Sequence, residues 1–276
     1  MNAVRPPSKI IAMMTDFGLE DPYVAAMKGV ILSICRDATI VDITHEVRSF
    51  DIEHGAFILW GCYRYFPPGT VFLVVVDPGV GSARRGIAIA THNYYFVGPD
   101  NGVLMLAAEE DGIEIAVSID TPLTKLHPVS KSFHGRDVFA PTAAWICNGL
   151  PLTVIGREID ISTLVRPRIS MSMELLERGC ARLRVVHIDK FGNVILSARY
   201  SELARVLQLS PGTVVKVFAK DREFSAVVRE VFSHARPGEL VLYEDSYWLA
   251  ELAVNLGSAK ELLNVDRGDE VVICRV

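Results

Sequence analysis

The sequence predicts two domains of different class: an N-terminal α/β domain around a central, mostly parallel sheet, and a C-terminal all-β domain built as a small barrel or sandwich. In the first half, short unbroken apolar runs alternate with segments of helical period. Parallel strands buried on both faces read as such runs, and strand–helix alternation is the mark of βαβ units. In the second half, short strands follow one another between Gly- and Pro-containing turns, with little helical pattern, which marks a closed or sandwiched antiparallel sheet.

The apolar run 9–14 is the first strand, and it ends at Thr15-Asp16-Phe17-Gly18. Asp21 is placed as a helix N-cap and Pro22 as the first helical residue. Val24, Met27, Ile31 and Ile34 then recur at spacings of three and four, one apolar helical stripe. A strand at 39–43 and a helix at 51–65 lead to a third strand, 72–76, which stops at Asp77-Pro78-Gly79-Val80-Gly81 and Arg84. Residues 86–90, 94–97 and 113–119 have strand character, and 103–108 is helical. The polar stretch 122–132 is read as a loop delivering Phe133-His134-Gly135-Arg136-Asp137 to a helix that ends near Asn148 and Gly149.

Periodicity fades between 160 and 180, so the domains are set at 1–165 and 181–276 with a linker at 166–180. Strands are expected at 181–188, 193–198, 213–219, 224–231, 238–243 and 270–275, with brief helices near 201–207 and 258–263. Ser246-Tyr247-Trp248-Leu249-Ala250-Glu251 sets polar groups beside aromatics and reads either as barrel packing or as a binding lip.

With 28 basic and 33 acidic residues and no long single-sign run, neither nucleic-acid binding nor membrane attachment is expected. No apolar run is long enough to span a bilayer, and the N-terminus lacks a signal-peptide core. Five scattered cysteines without a CxxC argue against a disulfide framework and a thiolate metal site, so a cytoplasmic protein is expected. Cys62 and Cys147 lie in apolar helical patterns and are read as inert core thiols. His45 and His54 are too far apart for a one-face ligand pair, and HExxH and GxSxG are absent.

Ligands of open α/β sheets bind beyond the carboxyl ends of strands. Asp16 and Asp77 both follow buried strands and should share one sheet edge, where a carboxylate suits a ribose diol. Neither GxGxxG nor GxxxxGK[ST] occurs, so a ribose without a phosphate fits. If the 133–137 segment folds over the Asp77 turn, Asp77, Arg84 and His134 form a polar triad able to hold a water or hydroxide and drain its proton. The competing reading leaves Asp77 as a turn cap, Arg84 on the surface and His134 as a packing residue.

Five motifs occur in a telling order: Thr15-Asp16-Phe17-Gly18, Asp77-Pro78-Gly79-Val80-Gly81-Ser82, Phe133 to Asp137, Asp189-Lys190-Phe191-Gly192-Asn193, and Asp245-Ser246-Tyr247 with Glu251 and Asn255. Together they resemble the S-adenosyl-L-methionine hydroxide adenosyltransferases, relatives of the adenosyl fluorinase and chlorinase, from about residue 9 to the C-terminus. The resemblance implies an N-terminal α/β domain joined to a C-terminal β-barrel, a homotrimer with sites at subunit interfaces, and hydrolysis of S-adenosyl-L-methionine to adenosine and L-methionine without metal or cofactor. It implies Asp77, Arg84 and His134 as the water-activating triad, Asp16 on the ribose and Phe50 as an aromatic ring facing the substrate. Asp189, Ser246 and Asp21 fall at methionine-side positions. Asn193, in the turn with Phe191, would bind adenine, and Tyr247, Glu251 and the backbone near Val254 complete that wall.

Halogenating relatives carry Tyr and Thr where this chain has Asp77 and Val80, Ser where it has Gly135, and a long insertion where it runs briefly from Ala90 to Gly98. An added negative charge at Asp77 disfavours a halide. A halogenase and a non-catalytic adenosine or S-adenosylmethionine sensor stay as alternatives. Relatives often have Gly at Trp248, whose bulk is expected to narrow the barrel-side lip.

Overall fold

The computed structural model describes residues 5–177 and 179–276, apart from the side chain of Ser233. Two compact units divide at 168/169.

In the first unit, β1 (Ile10–Thr15), α1 (Tyr23–Ile34), β2 (Thr39–Thr44), α2 (Ile52–Cys62) and β3 (Val71–Val75) follow in turn. After them come β4 (Gly86–Thr91), β5 (Tyr95–Pro99), α3 (Met105–Asp111), β6 (Ile113–Ser118), α4 (Ala140–Cys147) and α5 (Leu152–Ile155). The sheet order is β2-β1-β3-β5-β4-β6. The first four strands are parallel, and β4 runs against both β5 and β6. Alternation assigns the two faces. Ile11, Met13, Val71, Leu73 and Val75 pack with Met27 and Ile31 of α1 and Ala143 and Ile146 of α4. On the other face Phe72 stacks on Phe96 with centroids 5.1 Å apart, beside Tyr94 and Phe66.

Register fixes the edge that matters. Thr15 pairs with Val75, so Asp16 and Asp77 leave adjacent parallel strands at the same end, as expected from the runs they terminate. The helix stripe is likewise as expected, with Val24, Met27 and Ile31 buried. The expected cap is not: Pro22 is the N-cap, no side chain bonds there, and Asp21 lies exposed one residue earlier. An Asp immediately before Pro is as natural in a turn as at a cap, so sequence alone did not separate the two. Asp51, by contrast, does cap α2, accepting from the His54 N–H at 3.0 Å.

The second unit comprises β7 (Glu174–Leu176), β8 (Cys180–Ile188), β9 (Val194–Arg199), α6 (Tyr200–Leu207), β10 (Val214–Ala219) and β11 (Arg222–Val228), then β12 (Leu240–Glu244), β13 (Leu249–Val254), α7 (Ala259–Leu263) and β14 (Glu270–Arg275). Strands β14-β10-β11-β12-β13-β9-β8 are neighbours in order, and β14 pairs back onto β8, closing a seven-stranded barrel with β7 as an appendage. The inside is filled by alternate residues such as Leu183, Val185, Val215, Val217, Leu240, Leu242, Val271 and Ile273. The 246–251 stretch serves both as packing and as lip: it forms a turn at 245–248 followed by β13, a strand not anticipated from the pattern.

The cysteine reading needs correction. Cys180 and Cys274 form a disulfide joining β8 to β14, at paired positions of the barrel seam. Wide separation in sequence says nothing about closeness across a barrel seam, so scattering does not exclude a pairing. Among the described residues, no helix is long and apolar enough to cross a membrane.

Candidate active site

Beyond β3 the chain turns at Asp77–Gly81, with the Val80 N–H bonded to the Asp77 carbonyl. Gly81 has φ +77°, and a Cβ there would sit 2.6 Å from the Lys131 carbonyl oxygen. That approach lets the 126–137 segment lie against the Asp77 turn. The segment is itself pinned by Asp137, which accepts from the Ser130 N–H and from Arg136 while its own carbonyl receives the Leu126 N–H. Burial opposes ionisation of Asp137, but Arg136 and the Ser130 N–H outweigh it and hold the carboxyl below its usual range.

The three residues of the expected triad meet there. Arg84 donates from Nε to Asp77 Oδ1 at 2.9 Å and from Nη2 to Asp77 Oδ2, a two-pronged ion pair. Its Nη2 also lies 2.9 Å from His134 Nδ1. A guanidinium has only hydrogens to give, so Nδ1 is the acceptor and the neutral imidazole carries its proton on Nε2. Burial, then the Arg84 charge, lowers the His134 pKa and favours that neutral form. Arg84 also lies over the Phe139 ring, 5.1 Å from its centroid. The surface placement of Arg84 is thereby excluded, since its side chain is 12% exposed.

Asp16 stands at the neighbouring strand end. Its Oδ2 accepts the Phe50 N–H at 2.8 Å, and burial raises its pKa, with the Asp77 charge adding to the effect. Phe50 is 70% exposed and holds φ +66°, a conformation that non-glycine residues rarely adopt without an external constraint. Asp16 supplies that constraint. Phe17, Tyr23 and Phe133 pack edge to face beneath the site, with centroids 5.2–6.0 Å apart. Gly135 is crowded by that group: a Cβ would lie 3.2 Å from Met27 Sδ and 3.4 Å from both Phe17 and Phe133.

The second unit carries its own cavity, about 600 Å³, with Asp189, Phe191, Asn193, Ser246, Glu251 and Val254 in its wall. All six are site candidates by sequence. Tyr247 is one too, but its side chain is not part of this lining; its N–H bonds Asp245 Oδ1 and its carbonyl faces Arg199. Asp189 uses both oxygens on its own turn, accepting from the Phe191 and Asn193 N–H groups and from Asn193 Nδ2. It therefore aims Asn193 into the cavity.

Sequence reasoning missed Phe232, Tyr243, Asp245 and Leu256 as lining residues. Asp245 opens the last of the five motifs, and Tyr243 lies in a strand two residues earlier; Phe232 follows a strand end and had no local signal. Tyr243 donates to Glu251 through a short hydrogen bond. Burial pushes the Glu251 carboxyl up to about 7 and Asp245 up to about 6.

A family model described as the SAM hydroxide adenosyltransferase N-terminal domain matches residues 11–156, and one for the C-terminal domain of the same family matches 183–272. An (R)-S-adenosyl-L-methionine hydrolase of Salinispora tropica is 38% identical over 269 residues, 96% of this chain and 97% of that protein. A fluorinase of Actinopolyspora mzabensis is 29% identical over 296 residues, 96% of this chain and 97% of that enzyme. A crystal structure of an uncharacterized conserved protein from Thermotoga maritima superposes with TM-score 0.90 at 39% identity, covering 96% of this chain and all of that one.

Proposed function

The chain belongs to the SAM hydroxide adenosyltransferase family, and from that premise we propose that it hydrolyses S-adenosyl-L-methionine to adenosine and L-methionine. Hydrolase relatives at 36–38% identity over nearly the full length stand nearer to it than the fluorinase at 29%. The observation that carries the mechanism is the Asp77–Arg84–His134 contact set.

In the proposed reaction a water oxygen forms a bond to C5′ as the C5′–S bond breaks. The bonding pair returns to sulfur, turning the sulfonium into a neutral thioether, and one proton passes from the attacking water to the Asp77 carboxylate and from there to solvent. The Asp77 carboxylate, fixed by Arg84, accepts a hydrogen bond from that water and aligns its lone pair with the C5′–S axis. His134 Nδ1 accepts from the same Arg84 Nη2 that donates to Asp77 Oδ2, and so keeps the guanidinium, and with it the carboxylate, from rotating. Asp16 receives the ribose hydroxyls, and Phe50 covers the sugar. Asn193 and Glu251 meet the adenine edge, with Phe232 available to its face. Ser246 is assigned to the methionine side, with Asp189 acting through Asn193. Asp21 is left as a weak methionine contact. Neither metal nor cofactor is required, because a sulfonium leaves as a neutral group.

The full reading has a homotrimer in which the barrel cavity of one subunit completes the triad site of its neighbour. Mixing D77A with N193A subunits tests this: restored turnover supports shared sites, and its absence in mixed trimers rejects them. A cytoplasmic site of action rests on the substrate, whose charges forbid unaided passage through hydrocarbon, since the disulfide removes the cysteine argument.

Hydrolysis in ¹⁸O-labelled water decides the reaction. Labelled adenosine with unlabelled methionine, insensitive to chelators, is the expected outcome. Recovery of intact ligand without adenosine would make the protein a sensor, and 5′-chloro-5′-deoxyadenosine in chloride would make it a halogenase.

A further inference from the structure

We propose that Cys35 and Cys147 form a second, reversible disulfide, a redox modification site that staples α1 to α4 at the ends remote from the triad. Helix α1 starts just after the Asp16–Asp21 turn, and α4 continues the helical turn that begins beyond His134. Both helices run away from that edge and both finish at a cysteine: Cys35 is the C-cap of α1, and Cys147 is the last residue of α4. Their sulfurs are 3.4 Å apart across 112 residues of chain. A disulfide needs about 2.05 Å, so the two sulfurs must close by roughly 1.4 Å, within reach of side-chain torsions.

The pair is buried but shallow. Lys9 Nζ lies 3.8 Å from Cys35 Sγ and is bonded to Asp37 Oδ1 and Asn148 Oδ1, at 3.3 and 2.8 Å. Lys9 and Asp37 are themselves solvent-exposed, so one swing of the lysine opens the thiols to a small oxidant. Placement assigns the roles. Cys35 lies against the exposed Lys9 and Asp37 side chains, at 3.8 and 3.4 Å, and meets an oxidant first. Burial and the Cys35 contact push the Cys147 thiol up to about 12, so Cys147 stays protonated and is the resolving sulfur.

With a hydroperoxide as oxidant, the Cys35 thiolate takes the terminal oxygen, giving a sulfenic acid and releasing water or an alcohol. The Cys147 sulfur then displaces the hydroxyl as water and loses its own proton. Two thiols give up two electrons and two protons, and the peroxide is reduced. Cys62, in α2, has no such neighbour among the free cysteines and serves as an internal control.

The test is non-reducing peptide mapping of the intact protein after hydrogen peroxide and again after dithiothreitol, paired with melting curves. A Cys35–Cys147 linked peptide that dithiothreitol removes, with Cys62 alkylated throughout, is the expected result. The oxidised form should also melt several degrees higher, a gain that C35A and C147A abolish. Separate alkylation of the two cysteines after peroxide, or their conversion to sulfinic acids, overturns the proposal. A linked peptide without a rise in melting temperature overturns the staple. The mapping uses the unaltered chain, so its outcome does not depend on whether either variant folds.

Discussion

The Asp77 carboxylate beyond β3 and the carboxyls of the barrel cavity are all largely shielded from solvent, and they are treated in opposite ways. Asp77, with its side chain 5% exposed, faces a guanidinium along both oxygens. Glu251 and Asp245, 5% and 8% exposed, meet only neutral donors: a phenol, and the backbone N–H groups of Tyr247 and Leu249. Desolvation disfavours the ionised form, and at Asp245 the backbone N–H groups and the more distant Arg199 charge offset it only in part, so both are pushed up, to about 7 and about 6. The first unit therefore holds a fixed, oriented charge. The second holds carboxyls that a ligand's own donors can ionise. One arrangement suits holding a nucleophile, and the other suits recognising a base and an ammonium group.

The largest expected effect follows from removing the fixed charge. Asp77→Ala should lower the hydrolysis rate by on the order of 10²–10³-fold or more, as loss of a preorganised electrostatic contact does. Adenosine affinity should hardly move. Single-turnover rates and calorimetry separate the two, and an undiminished rate in the variant would remove the mechanism proposed above.

Next comes the approach that brings the two halves of the triad together. Gly81→Ala places a methyl 2.6 Å from the Lys131 carbonyl oxygen at φ +77°. Strain of this kind costs on the order of 1–3 kcal/mol, which denaturant titration will read. Because relief requires the 126–137 segment to move, turnover should fall further than stability alone explains. Equal activity per folded molecule would show that His134 needs no such placement.

This glycine marks where the sequence was readable and where it was not. Strand ends at Asp16 and Asp77 were legible because both strands are unbroken apolar runs, and their shared edge follows from parallel pairing. The meeting of Arg84 with His134, 50 residues apart, depends on loop geometry that no periodicity encodes, and motif order supplied it instead. In the barrel, β13 was missed because its residues Leu249–Val254 are nearly all buried, Glu251 included, so the alternation that signals a half-exposed strand is lost. The Cys180–Cys274 bond was misjudged because it closes a barrel seam, a non-local fact.

The poised carboxyls predict a pH signature of intermediate size. In the ligand-free fold, Glu251 stays protonated up to about 7, above its ordinary value of 4.5. Its contribution to stability is therefore present below about 4.5 and lost as the pH rises through 7, the sign for a raised carboxyl. Ligand binding runs the other way. An adenine amino group donating to Glu251 favours the ionised form, so adenosine affinity should climb through the same window and level off above it. Glu251→Gln should flatten the part of that profile centred near 7 and leave any Asp245 contribution near 6. Calorimetric titration at several pH values decides this, and an unchanged profile would take Glu251 out of base recognition.

The smallest effect tests a reading that family resemblance alone supplied. Trp248 was expected to narrow the barrel-side lip, yet it is not among the residues lining the cavity, and it projects from the turn at φ +65° with 55% of its surface exposed. A left-handed position suits glycine, the residue that family resemblance places there, because Gly adopts it without a Cβ penalty. Relief of that strain in Trp248→Gly, about 1 kcal/mol, is opposed by the greater freedom of an unfolded glycine, about 0.5–1 kcal/mol, and by loss of the tryptophan's partial burial. The melting temperature should therefore shift by only a few degrees, and the Kd for adenosine should stay within about twofold, well under 1 kcal/mol. A tenfold change in affinity would instead mean that the indole reaches the ligand, and the boundary of the cavity would have to be redrawn to include the 245–248 turn.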